Sequence, residues 1–253
     1  MLIVLPPSET KATGGTGSAL DMDALHFPAL TPFRRRIATD LVDLCTGDVV
    51  AAREALGLSE RLSSEVTANA ELLSSPTMPA LQRYTGVLYD ALDAATLPTE
   101  AWRHLAIGSA LFGVVMGSDP IPHYRLSGGT KLPTAAGELP TMKARWGTAI
   151  KDALTEIHSQ GLLIDLRSGT YQQLGKVPSA VTVRVEAVQQ DGSRKVVSHF
   201  NKHYKGLLAR TWAEYFVGAT APQIPDLIAA AEQAGYRLEH KGGSELTMVV
   251  DPG

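Results

Sequence analysis

The sequence predicts a mixed α/β (α+β) fold, a single compact domain over residues 1–253 with a central mixed sheet surrounded by helices. Short apolar runs at Leu2-Ile3-Val4-Leu5, before Pro6-Pro7, and at residues 162–166, after Gly161, have the length and flanks of buried strands. Between them lie stretches of helical periodicity, the clearest at residues 141–160 with Trp146, Ile150, Leu154 and Ile157 on one face. Strands that alternate with helices bury their sheet between helical layers.

In chain order, the first strand feeds a loop over residues 6–18 that carries Ser8, Glu9, Thr10, Lys11, Gly14, Gly15 and Gly17. Residues 31–46 read as a helix with Ile37, Leu41, Leu44 and Cys45 on one face, and residues 49–73 as two short helices broken at Gly57. Residues 78–94 read as one or two helices. Residues 99–117 begin helically at Trp102 and then turn apolar and glycine-rich, before the proline turn Asp119-Pro120-Ile121-Pro122. Residues 180–188 and 194–200 alternate around Gln190-Asp191-Gly192, a hairpin. Helices at 203–217 and 222–234 follow, and residues 236–239 and 246–250 close a last strand pair.

Composition limits the function. The chain is 44% hydrophobic and 19% charged with a formal net charge of −3, which excludes a uniformly basic nucleic-acid coat but leaves room for a local basic patch. One cysteine, Cys45, excludes an internal disulfide, a cysteine zinc cluster and a redox pair, and predicts a buried reduced thiol. The N-terminus lacks the basic region of a signal peptide, and no stretch nears the ~20 apolar residues of a membrane span, so a cytoplasmic protein with no membrane partner is expected.

Phosphate-loop, dinucleotide, zinc-protease and nucleophile-elbow motifs are absent. The glycines after the first strand read either as a flexible loop or as a ligand loop. His199 and His203 share an i, i+4 spacing, but residue 199 reads as strand and a third ligand is missing, so neither a metal site nor a cofactor is predicted. Three polar constellations stand out. Lys202, Lys205 and Arg210 follow Ser198 and His199 without an acid among them, a composition suited to phosphates or to a solvated helix face. His123-Tyr124-Arg125 lies beyond the proline turn. Asp165 through Tyr171, with Ser168, sits at the carboxyl end of a strand, where open α/β sheets bind ligands.

These blocks resemble the YaaA family of bacterial peroxide-stress proteins. The resemblance is carried by residues 2–11, by Tyr84-Thr85-Gly86-Val87-Leu88-Tyr89, and by Ser109 to Val114 followed by Asp119 and Tyr124-Arg125-Leu126. Trp146-Gly147, then Leu166, Ser168 and Tyr171, then Ser198, Lys202, Gly206, Leu207 and Arg210 complete it. Glu9, Ala110, Met116-Gly117 and Ser127 depart from the pattern and mark a divergent branch. The resemblance implies a cleft lined by basic residues, a helix-hairpin-helix element, binding of double-stranded DNA and a role in limiting iron-linked damage under hydrogen peroxide. Residues 54–70, around Leu56-Gly57-Leu58-Ser59, are the local candidate for the hairpin.

The expected site therefore gathers Lys11, Arg125, Lys202, Lys205 and Arg210 as binders of DNA or of a phosphate-bearing small molecule. Should the chain be an enzyme acting on a nucleotide, nucleoside or other phosphorylated compound, Tyr124, Ser168 and Tyr171 are its candidate catalytic groups, with a tyrosine pKa lowered by neighbouring cations. All are expected to line one concave basic cleft.

Overall fold

Strand β1 (Leu2–Leu5) runs through the middle of the molecule in the computed structural model, which describes residues 1–197, 200–219 and 221–251. All four of its residues are buried, as the apolar run predicts. It pairs in parallel with β3 (Leu105–Ser109) on one side and β6 (Leu163–Asp165) on the other, so neither face meets water. β4 (Gly113–Met116) adds antiparallel to β3, giving the order β4-β3-β1-β6. A two-residue ribbon, β2 (Met78–Pro79) with β5 (Pro120–Ile121), lies beside this sheet.

The expected single central sheet is instead two four-stranded sheets joined at a corner. The second has the order β8-β7-β10-β9, with β7 (Thr182–Val188) parallel to β10 (Glu245–Val250) and antiparallel to β8 (Arg194–Val196), and with β9 (Arg237–His240) on the outer edge. Val181 forms the corner: its N–H donates to Leu163 O at 2.8 Å and its carbonyl accepts from Asp165 N at 2.7 Å. One buried apolar cluster runs through both sheets, from Leu2 to Met248.

Helices cover the sheets. α1 (Thr31–Thr46), α2 (Val49–Leu56), α3 (Ser63–Ala70), α4 (Ala80–Arg83) and α5 (Val87–Leu92) occupy the long connection between β1 and β3. α1 buries Ile37, Leu41 and Cys45 as its periodicity predicts, and burial raises the Cys45 thiol pKa. The amphipathic stretch at 141–160 is two helices, α6 (Met142–Trp146) and α7 (Ala149–Gln160), broken at Gly147-Thr148. Trp146, Ile150 and Leu154 are still fully buried because the break preserves the facing. After the four-residue α8 (Gly169–Gln172) come α9 (Asn201–Tyr215) and α10 (Ile224–Gln233).

The apolar, glycine-rich stretch after Trp102, which the sequence left without an assigned element, is the β3–β4 antiparallel pair, because Gly113 permits a tight reversal. The second hairpin strand stops at Val196, and Ser198 and His199 lie outside the described residues. Among the described residues, no helix is long and apolar enough to cross a membrane.

α9 crosses α5 at Gly206, where a Cβ would collide with the carbonyl oxygen of Leu88 and the methyl of Ala91. The crossing is therefore set by the absence of a side chain. Gly206→Ala is expected to destabilise the protein by about 1–3 kcal/mol, the usual range for overpacking, read as a lower urea midpoint with an unchanged slope. An unchanged midpoint would mean that the helices do not meet this closely.

Candidate functional site

The segment after β1 ends the central parallel strand at its carboxyl edge, and its backbone carbonyls are held one after another. Tyr89 Oη donates to Pro6 O at 2.8 Å, and Lys11 Nζ donates to Ser8 O at 3.0 Å. Arg125 Nη1 donates to Glu9 O at 2.9 Å, Ser8 Oγ donates to Thr10 O at 2.6 Å, and Arg83 Nη1 donates to Ala12 O at 2.6 Å. Arg83 is fully buried and also donates to the carbonyls of Pro76 and Ile121. Two of the glycines beyond it are close-packed rather than slack. Gly15 and Gly17 press on Thr77, where a Cβ would come within 2.6 Å of Thr77 O or 2.5 Å of its hydroxyl, and Gly17 pairs with Thr77 as a β-bridge.

Beneath this loop lies a buried hydroxyl chain. Ser109 Oγ accepts from the backbone N–H groups of Leu111 and Phe112, which leaves its proton for Tyr124 Oη at 2.7 Å, and Tyr124 in turn donates to Tyr84 Oη at 2.6 Å. Burial raises the pKa of both tyrosines. Tyr124 therefore does not tip a hydroxyl to water, and the expectation of a cation-lowered tyrosine fails here; Tyr171 is likewise raised, again by burial first. The Tyr124 and Tyr84 rings face Lys11, whose Nζ sits 4.4 Å and 5.2 Å from their centroids. Desolvation lowers the Lys11 pKa to about 8 against the opposing field of Glu9.

Arg125 belongs to a neighbouring cleft of about 470 Å³, shared with Glu9, Leu58, Ser127 and Lys131. Its guanidinium pairs with the Glu9 carboxylate at 2.9 Å, and its peptide is fixed by fully buried Asn69, which accepts from Arg125 N at 2.8 Å and donates to Arg125 O at 2.9 Å. Tyr171 reaches the same loop, its hydroxyl accepting from Gly128 N at 3.2 Å. The candidate hairpin forms one wall: α2 ends at Gly57 in the left-handed region, φ 65°, and a 3-10 turn at Glu60–Leu62 leads into α3.

Ser168, Lys202 and Lys205 meet in a different cleft, about 480 Å³, beyond the carboxyl end of β6. Lys176 joins them, and α9 begins there at Asn201. Lys205 Nζ donates to Leu166 O at 3.3 Å, and burial lowers its pKa. The floor is the buried pair of Arg167 and Asp165, joined at 2.8 and 2.9 Å. Arg210 stands apart from both clefts. It donates to Leu92 O and Asp93 O at 3.0 Å each and pairs with Glu214 at 2.8 Å, closing the carboxyl end of α5. The expected single basic cleft is thus divided, because Glu9, Asp165 and Glu214 each engage one of the cations placed in it or beside it, and Tyr124 is sealed beneath the loop.

Sequence reasoning passed over Arg83, Asn69, Glu65 and Lys176. Arg83 and Asn69 are fully buried polar residues that read as surface positions, and no local pattern distinguishes them. Glu65 meets His123 Nε2 at 2.9 Å, while His123 Nδ1 lies 3.2 Å from Ala12 O, so α3 is tied to the loop through a pair 58 residues apart in sequence. Among the described residues, no group of three or more His, Cys, Asp or Glu side chains could hold a metal ion.

The hydrogen bond from His123 lowers the Glu65 pKa below its ordinary value of 4.5. A carboxylate depressed in the folded state contributes stability above its unfolded pKa and loses it as pH falls through the folded value. Stability is therefore expected to fall below about pH 4.5, and Glu65→Gln to flatten that limb of a denaturation-versus-pH curve. A variant curve parallel to wild type would contradict the pairing.

A family model described as peroxide stress protein YaaA matches residues 1–241. A UPF0246 protein of Corynebacterium glutamicum is 60% identical over 252 residues, which covers 99% of this chain and 100% of that one. A UPF0246 protein of Streptomyces coelicolor is 43% identical over 261 residues, covering 99% and 98% respectively. With nearly the whole length matched in each case, the chain belongs to the family of the peroxide stress protein YaaA.

Proposed function

We propose that this chain protects against peroxide stress by binding DNA through the Lys176, Lys202 and Lys205 cleft, and so limits oxidative, iron-linked damage. One observation carries the reading: three lysines converge beside Ser168 at the carboxyl end of a buried strand, where the 15-residue α9 begins. The start of a helix presents free backbone N–H groups and a partial positive charge, which favours phosphate. Lys205 is held with its ammonium partly desolvated, and an arriving phosphate would restore the lost stabilisation. Phe200, 66% exposed, precedes α9 and offers a face for a stacked base. With a net charge of −3, duplex contact requires a local basic patch of this kind.

The volume of about 480 Å³ also suits a single nucleotide, and this favours the second reading, an enzyme acting on a nucleotide or another phosphorylated small molecule, with Ser168 at the cleft wall. The two readings separate in one titration. Fluorescence polarisation of a labelled duplex is expected to show an affinity that falls with salt at a log–log slope of roughly −2 to −3, as three phosphate contacts require. Lys202 is exposed, so Lys202→Ala should reduce the slope by about one contact with an unchanged melting temperature. No duplex binding at low salt, together with stabilisation by a mononucleotide, would replace the first reading by the second; unaltered binding by the variant would remove this cleft from either.

A further inference from the structure

We propose that Lys11 is a carbonyl-reactive amine, the covalent anchor of a cavity that takes a small neutral hydroxyaldehyde or hydroxyketone. The cavity, about 300 Å³, is lined by Lys11, Thr13, Ser64, Glu65, Glu71 and His123 among others, and is separate from the lysine cleft beyond β6. The inference does not rest on the DNA reading.

The setting of the amine carries the argument. Among the described residues its hydrogen-bond acceptor is Ser8 O, and it lies over the faces of Tyr124 and Tyr84. Among the described residues no carboxylate lies within the 4.0 Å of an ion pair, although Glu9 and Glu65 act on it from farther away. Glu9 is turned to Arg125 and Glu65 to His123. Burial disfavours the ammonium of an amine enclosed in this way, and the more distant carboxylates offset that only in part, so a fraction of the lone pair is free near neutral pH. With a pKa of about 8, on the order of a tenth of the groups are free amine at pH 7. The loop carbonyls fixed by Arg83, Arg125 and Tyr89 hold Lys11 in place before a ligand arrives.

The walls define the ligand. Hydroxyls of Thr13 and Ser64 suit the hydroxyl groups of a sugar-like compound, whereas Glu65 and Glu71 repel a second negative charge. The chemistry is balanced without an oxidant. The Nζ lone pair forms a bond to the carbonyl carbon, and the C=O π electrons move to oxygen. A proton passes from nitrogen to that oxygen, with the Glu65–His123 pair on the same cavity to relay it. The hydroxyl takes a second proton from solvent water, which is left as hydroxide, and departs as water, while the nitrogen lone pair forms the C=N bond of the iminium cation.

The test uses the full chain at pH 8 with glycolaldehyde and sodium cyanoborohydride, which supplies hydride to the iminium and fixes it as a secondary amine, followed by peptide mapping. Lys11 is expected to be trapped on the order of tenfold faster than exposed Lys143, the gain in free amine being partly offset by lower intrinsic nucleophilicity. The Lys11-to-Lys143 ratio should drop when anionic glyoxylate replaces glycolaldehyde. Equal trapping of Lys11 and Lys143 by glycolaldehyde would overturn the proposal, and an undiminished ratio with glyoxylate would overturn the neutral ligand class. Both readouts come from the unmodified sequence, so neither depends on a variant that folds.

Discussion

The Arg83 guanidinium is the fixed point on which the rest of the site depends. It is fully buried, and its partners are the carbonyl oxygens of Ala12, Pro76 and Ile121. Three chain segments distant in sequence are drawn to one cation: the loop after β1, the approach to β2, and β5. A buried charge without a counter-ion is costly unless its donors are satisfied, and here carbonyl dipoles satisfy them. Burial still lowers the Arg83 pKa. Two other buried arginines also grip backbone carbonyls, although Arg34 leaves its Nη1 without a partner among the described residues and Arg167 has a carboxylate beside it. Arg34 binds the carbonyls of His26, Phe112 and Val114, with burial lowering its pKa to about 10, and Arg167 binds Gly175 O beside its Asp165 partner.

Once the loop is anchored at Ala12, its other contacts follow. Lys11 pairs with Tyr84 as an isolated bridge, Thr85 N reaches Thr10 O, and Tyr84 is thereby aligned with Tyr124 and Ser109. The amine of Lys11 is held over those rings by the same alignment. The carboxyl edge of the parallel strands thus carries two kinds of cation with different prospects. Lys11 is enclosed, poorly solvated and unpaired among the described residues, which suits bond formation. Lys176, Lys202 and Lys205 share an open cleft at a helix start, which suits a visiting anion.

Much of the fold was legible because it is written in periodicity. Leu2–Leu5 read as a buried strand from its apolar run before two prolines, and Ile37, Leu41 and Cys45 read as one helix face from their spacing. The family was legible in ordered blocks, and Gly206 in the last block now has a physical reason in the α5–α9 crossing. The division into two sheets was not legible, since one bridge at Val181 decides it. The site was legible only as a list of residue types. Arg125 and Lys202 are both cations near shared motifs, yet Glu9 engages the first, whereas the second remains open to solvent. Charge partners 116 residues apart, as Arg125 and Glu9 are, leave no local trace in sequence. Arg210 resembled a ligand contact for the same reason, and its commitment to the end of α5 is a tertiary fact.

A buried guanidinium locks the loop carrying Lys11 into one conformation. Hydrogen exchange at the Ala12 amide tests it most directly, because that N–H donates to Arg83 O at 2.8 Å while the Arg83 side chain grips Ala12 O. Ala12 is expected to exchange as slowly as the amides of β1 in the unmodified protein, and on the order of a hundredfold faster in Arg83→Met under conditions where β1 stays protected. Exchange of Ala12 at the rate of an unstructured peptide in the unmodified protein would contradict it.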